Sequence, residues 1–99
     1  MTNFRTFNIA TEFYKLCRKL SLHGDARSQL DRASRSIALN LAEGRGKRTR
    51  KDQRRFFFIA MGSLRECQAL LMLESLEHTE AWKVLDKLGA HLYLLTQRA

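Results

Sequence analysis

Hydrophobic and polar positions repeat with a helical period along most of the chain. Ile9, Phe13, Leu16 and Leu20 recur at steps of four, three and four, with Ala10, Tyr14 and Cys17 as a neighbouring row. Glu12, Lys15, Arg18 and Lys19 fall mostly off that stripe. The spacing predicts an amphipathic helix over 9–20, capped by Asn8 and led in by Phe4 and Phe7. His23, Gly24 and Asp25 predict a short turn over 21–26, which makes the next helix an antiparallel neighbour. Leu30, Ala33, Ile37 and Leu41, with Ala38 alongside, carry a second helix over 27–42. Arg27, Asp31, Arg32 and Arg35 decorate its other side, and Gly44 is its expected stop.

The third helix gives the strongest signal. Thr49 followed by Asp52 resembles a capping box, and the pattern runs on to about Ser75. Phe56, Ile59, Ser63, Glu66, Leu70 and Leu73 trace one face, and Phe57, Met61, Leu64 and Leu71 another. A helix apolar on every side has to be buried on every side. One small bundle covers only part of it, so the surplus predicts an oligomer interface at Phe56, Phe57, Phe58, Met61 and Leu64. Gly62, costly in a helix centre, suits close approach of another helix there. A fourth helix, over 79–97, keeps its period through Trp82, Leu85, Leu88, Leu92 and Leu95, with Thr79 as cap and Glu80 in the first turn. Four helices with short connections predict an all-α fold, an antiparallel up-down-up-down four-helix bundle in a single domain over 1–99.

Composition narrows the class. The 99 residues hold five Gly, two Cys and no Pro, with 44% hydrophobic residues. That is too apolar for a disordered basic tail and too poor in Cys for a disulfide scaffold. Charge-free stretches such as Phe56–Leu64 are far shorter than the roughly 20 residues of a membrane span, and MTNFRTFNIATEF lacks the apolar run of a secretory signal. A basic, soluble, cytoplasmic domain is expected, with no membrane partner.

The charge is local. Of the formal net +8, a net +6 falls within 45–55 (RGKRTRKDQRR), while 1–43 carry +3 and 56–99 carry −1. Basic residues feeding a helix N-terminus suit phosphates, which they neutralise without reading bases. Arg45, Lys47, Arg48, Arg50, Lys51, Arg54 and Arg55 are therefore the candidate nucleic-acid-binding residues, with Arg48, Lys51 and Arg55 spaced to line one face. The competing reading is a solvated basic loop that aids solubility. Gly46-Lys47 does not complete a phosphate loop, because Arg48 follows and no strand precedes.

Little in the sequence points to catalysis. His23, His78 and His91 show no ligand spacing, and Cys17 and Cys67 lie on or near apolar stripes, as small buried hydrophobes would. Asn40 reads as a satisfied amide beside the apolar face, and Glu43 as an ion-pair partner of a basic loop residue or of Arg32 on another chain. No catalytic residue, metal site or cofactor is expected, and the chain is read as a non-enzyme. Two functional classes remain. One is an oligomeric module binding the RNA or DNA backbone through the basic loop; the other is a protein–protein assembly or adaptor factor in which that loop only solubilises.

The run LDRASRSIALNLAEGRGKRTRKDQRRFFFIAMGSLRECQALL carries a recognisable pattern. Arg32-Ala33, Ser36-Ile37, Asn40 and Ala42-Glu43-Gly44 precede the basic loop, and Phe56-Phe57, Gly62-Ser63 and Glu66 follow it. In this order they resemble the bacterial four-helix-bundle family associated with 23S rRNA intervening sequences. The chain departs from the family in having Ala10 where a Trp is common, no Phe-Pro step in the first loop and an early end to the last helix. The resemblance implies a bundle assembling as a ring, typically a homo-pentamer. Five copies of the loop would set about +30 around such a ring. A more distant similarity, of fold alone, is to accessory variability determinants of diversity-generating retroelements, which implies a reverse transcriptase as a protein partner.

Overall fold

The computed structural model describes the backbone of residues 2–97 and side chains from Arg5 to Gln97. Four helices follow one another: α1 (Thr2–Arg18), α2 (Gly24–Arg45), α3 (Arg50–Leu73) and α4 (Glu80–Gln97). Each packs on its sequence neighbour, and α4 closes back on α1. Across the diagonals, α1 to α3 and α2 to α4, no Cα atoms of the described residues come within 8 Å. The result is a square all-α bundle, 40 × 21 × 18 Å, around one core. The expected stripes supply that core: Ile9, Phe13 and Cys17 from α1, Leu30, Ile37 and Leu41 from α2, Phe57, Leu64 and Leu71 from α3, and Leu85, Leu88 and Leu92 from α4.

The element boundaries correct four expectations. Helix α1 starts at Thr2, so Asn8 sits exposed inside it and caps nothing. The reason is that Thr6, Ala10, Phe13 and Cys17, all fully buried, form one continuous helical row, which draws the lead-in into the helix. Phe7 packs against the core, while the side chain of Phe4 lies outside the described residues. Helix α2 starts earlier than expected, at Gly24, whose φ of +57° is a glycine conformation.

Gly44 does not stop α2. It is buried within the helix, and the chain leaves at Gly46, whose N–H reaches Ala42 O and Glu43 O. A Cβ on Gly44 would stand 2.7 Å from Phe57 Cε1, so its bare backbone lets α3 seat the Phe57 ring against α2. The end of α3 comes at Leu73, earlier than expected, without a glycine. Ser75 takes φ 58°, its N–H bonds to Met72 O, and the Leu76 N–H bonds back to Leu71 O at 2.8 Å. These are the two bonds of a Schellman cap.

Arg27 ties the first two helices together. Its guanidinium donates to Cys17 O at 3.1 Å, to Leu20 O and to Asp31 Oδ1 at 2.7 Å. A cation thereby covers carbonyls at and just beyond the negative end of α1.

Length and composition alone would let α3 cross a membrane, with a mean hydropathy of 1.4 over its most apolar 18-residue window. In the bundle its Phe57, Ala60, Leu64, Cys67 and Leu71 face the core.

Candidate nucleic-acid interface

The basic segment folds as the last residue of α2, a four-residue connection and the first turns of α3. Thr49 caps α3 as the sequence predicts: its hydroxyl accepts from Asp52 N–H at 3.1 Å, and its carbonyl accepts from Gln53 N–H at 3.0 Å. The Gln53 side chain donates to Lys47 O at 3.0 Å, which fixes the connection against the helix start. The positive end of the α3 dipole thus lies among the cations.

The seven cations divide into two groups. Lys47 Nζ lies 3.1 Å from Glu43 Oε2 and 5.1 Å from the centre of the Phe56 ring. The Arg55 guanidinium carbon is 5.6 Å from the same ring. Phe56 is therefore half-buried under two cations, a contact that no spacing rule on one helix reveals. Arg45 and Arg50 have interactions of their own. Arg48, Lys51 and Arg54 are exposed and make no ion pair or hydrogen bond among the described residues. The face expected at Arg48, Lys51 and Arg55 changes accordingly. Arg48 belongs to the connection, outside the helical repeat, Arg55 is turned over Phe56, and Arg54 joins Lys51 one turn away on α3.

The residues expected at an oligomer interface also separate. Phe57 and Leu64 are each only 3% exposed and are core of the single chain, so they are not free to meet another. Phe56 and Met61 are half-buried, and Phe58 is 55% exposed. Ile59 at 47%, Leu39 at 56% and Leu73 at 77% also stand in solvent, although the first has no charge to mark it as surface and the second lies on a helix that reads as amphipathic. Among the described residues, no atom outside its own stretch of helix backbone lies within 4 Å of a Cβ built on Gly62, so none of the other described helices approaches it closely.

Around this surface several polar groups are paired within the chain. Asn40 Nδ2 donates to Ser36 O at 2.9 Å and to Ser36 Oγ at 3.1 Å, and Ser36 Oγ pairs with Ser63 Oγ at 2.9 Å across the α2–α3 seam. Arg32 pairs with Glu66 of its own chain, and Glu43 takes the loop residue Lys47. Cys17 and Cys67 are buried. Burial pushes the Cys17 thiol up from an ordinary 9.0 to about 12, and burial also raises Cys67. Their helices are diagonal, with no Cα atoms within 8 Å, beyond the reach of a disulfide.

No curated protein and no solved structure gives a significant match to the chain. The model of one family, described as 23S rRNA-intervening sequence protein, matches residues 4–92. That span takes in all of α2 and α3 with the capped basic connection between them, and so the chain belongs to the 23S rRNA-intervening sequence protein family.

Proposed function

We propose that this protein is a non-catalytic, self-associating cytoplasmic bundle that holds the phosphate backbone of RNA or DNA through the α2–α3 connection. The observation that carries the reading is the set Arg48, Lys51 and Arg54: exposed cations with no carboxylate partner among the described residues, held at a helix start by the Thr49 cap. Backbone contacts of this kind position a strand without reading its sequence. Self-association, with a pentameric ring as the form implied by the family resemblance, repeats the patch and raises local cation density. The exposed Phe58 and Ile59 supply apolar surface for it.

A gel-shift or filter-binding titration across salt tests the reading. Binding is expected to weaken with salt and to be indifferent to sequence. Changing Arg48, Lys51 and Arg54 to Glu together should reduce the log–log salt slope by roughly 2 on single strands. Binding that ignores salt, or that survives the triple change, overturns the electrostatic interface.

The exposed apolar residues favour a second reading, in which the surface serves a protein partner such as a reverse transcriptase and the loop binds nothing. Sedimentation at micromolar concentration separates the two. A monomer that binds no nucleic acid leaves the adaptor as the surviving function.

A further inference from the structure

A cleft of about 400 Å³ lies on the side of the bundle formed by α1 and α2, lined by Tyr14 and Arg18 from α1 and by Asp31, Arg32, Arg35, Ser36, Leu39 and Asn40 from α2. Its size falls in the range of small-molecule sites, roughly 300–1,000 Å³. The charge in it is unbalanced in a specific way. Asp31 is shared by Arg27 at 2.7 Å and Arg18 at 3.3 Å, and Arg32 is taken by Glu66. Arg35 is exposed and has no carboxylate among the described residues, so the cleft keeps one guanidinium fork unspent beside two others.

The remaining lining adds direction. Both hydrogen bonds of Asn40 run through Nδ2 to Ser36, which leaves its Oδ1 as an open acceptor. The Tyr14 hydroxyl likewise has no partner among the described residues. Leu39, 56% exposed, offers an apolar wall. Arginine forks match phosphate oxygens two at a time, an aromatic side chain and an aliphatic one suit a flat ring, and a lone carbonyl acceptor suits an amine or hydroxyl donor.

The geometry points to this cleft as a binding site for a free nucleoside monophosphate. Arg35 takes the phosphate with Arg18 and Arg32 beside it, Tyr14 and Leu39 flank the base, and Asn40 Oδ1 accepts from a base amine or sugar hydroxyl. The cleft is built from α1 and the middle of α2, apart from the connection that carries the proposed strand-binding cations, and it does not depend on that reading.

Isothermal titration calorimetry on the full chain tests it, with AMP, adenosine, ribose 5-phosphate and inorganic phosphate as probes. AMP is expected to bind about tenfold tighter than adenosine or inorganic phosphate and about fivefold tighter than ribose 5-phosphate. Arg35→Ala should weaken AMP about tenfold, while Arg35→Lys, which keeps the charge and loses the fork, should fall between. Lys51→Glu with Arg54→Glu should leave AMP binding unchanged. No AMP binding, equal binding of adenosine, equal binding of ribose 5-phosphate, an Arg35→Ala protein that binds as the parent does, or loss of AMP through the Lys51/Arg54 pair each overturns the assignment.

Discussion

The two faces of α3 both carry large apolar side chains and meet opposite surroundings. The inner face carries Phe57, Ala60, Leu64, Cys67 and Leu71, all buried against the other helices. The outer face carries Phe58, Ile59, Gly62 and Leu73 and meets solvent in the single chain. Hydrophobicity decides that both faces prefer cover. Packing decides which one the chain can cover alone, because a helix in a square bundle touches two neighbours and presents its remaining side outward. The two glycines nearest these faces mark the contrast. Gly44 of α2 has the Phe57 ring against it, whereas Gly62 has open space.

Truncation should give the largest difference. Phe57→Ala is expected to cost about 3–5 kcal/mol, the usual loss for a buried Phe. Phe58→Ala should change single-chain stability by less than about 0.5 kcal/mol. Urea melts of the two variants check this, and equal losses would mean that both faces are buried in the folded state. A smaller effect is expected for Gly44→Ala, at about 1–3 kcal/mol of destabilisation, since its Cβ collides with a ring that cannot move without disturbing the core. A thermal melt indistinguishable from the parent would break the account of Gly44 as a close-approach residue.

Gly62→Ala should have the opposite sign. With nothing near its Cβ, the change is expected to gain about 1 kcal/mol through helix propensity. The same substitution also reports on what covers the outer face. If another copy of the chain seats against the outer face, it should weaken self-association while raising single-chain stability, and sedimentation of the variant beside its melt separates the two effects.

The smallest effect at neutral pH concerns the thiols sealed in the core. Burial raises the folded-state pKa of Cys17 from 9.0 to about 12, so the folded protein holds that proton more tightly than the unfolded chain does. The corresponding stability is fully present below pH 9 and is lost as pH rises from 9 towards 12. Urea melts from pH 8 to pH 11 should show stability falling only in the upper part of that range. Alkylation at pH 8 should be slow for both thiols until the fold is opened.

Much of the fold is legible in the residue pattern. Leu30, Ala33, Ile37 and Leu41 are buried as their spacing predicts, and so are Leu85, Leu88, Leu92 and Leu95, because a three-and-four repeat defines a helix face whatever packs on it. The ends are less legible. A glycine after an apolar run signals either a stop or a close contact, and only the position of Phe57 tells which one Gly44 serves. Ser75 in a left-handed cap leaves no clear mark in sequence, since serine is found in many turns.

The basic segment shows the same division. Its charge is plain in the order of residues, but the separation of Lys47 and Arg55 from Lys51 and Arg54 depends on where Phe56 and Glu43 stand. The cleft between α1 and α2 is the extreme case. Tyr14 and Arg18 reach Arg35, Leu39 and Asn40 only through the antiparallel pairing of two helices, and no local pattern records that meeting.

Local spacing is enough to set the helices, their order, the residues of the core stripe and the site of the excess charge, because each of these follows from neighbours within a few positions along the chain. Tertiary structure decided which apolar face of α3 is left over, which cations are spent on partners, why Gly44 must lack a side chain and where the arginines of α1 and α2 converge. Those outcomes depend on atoms far apart in sequence and close in space, and only the packed bundle sets those distances.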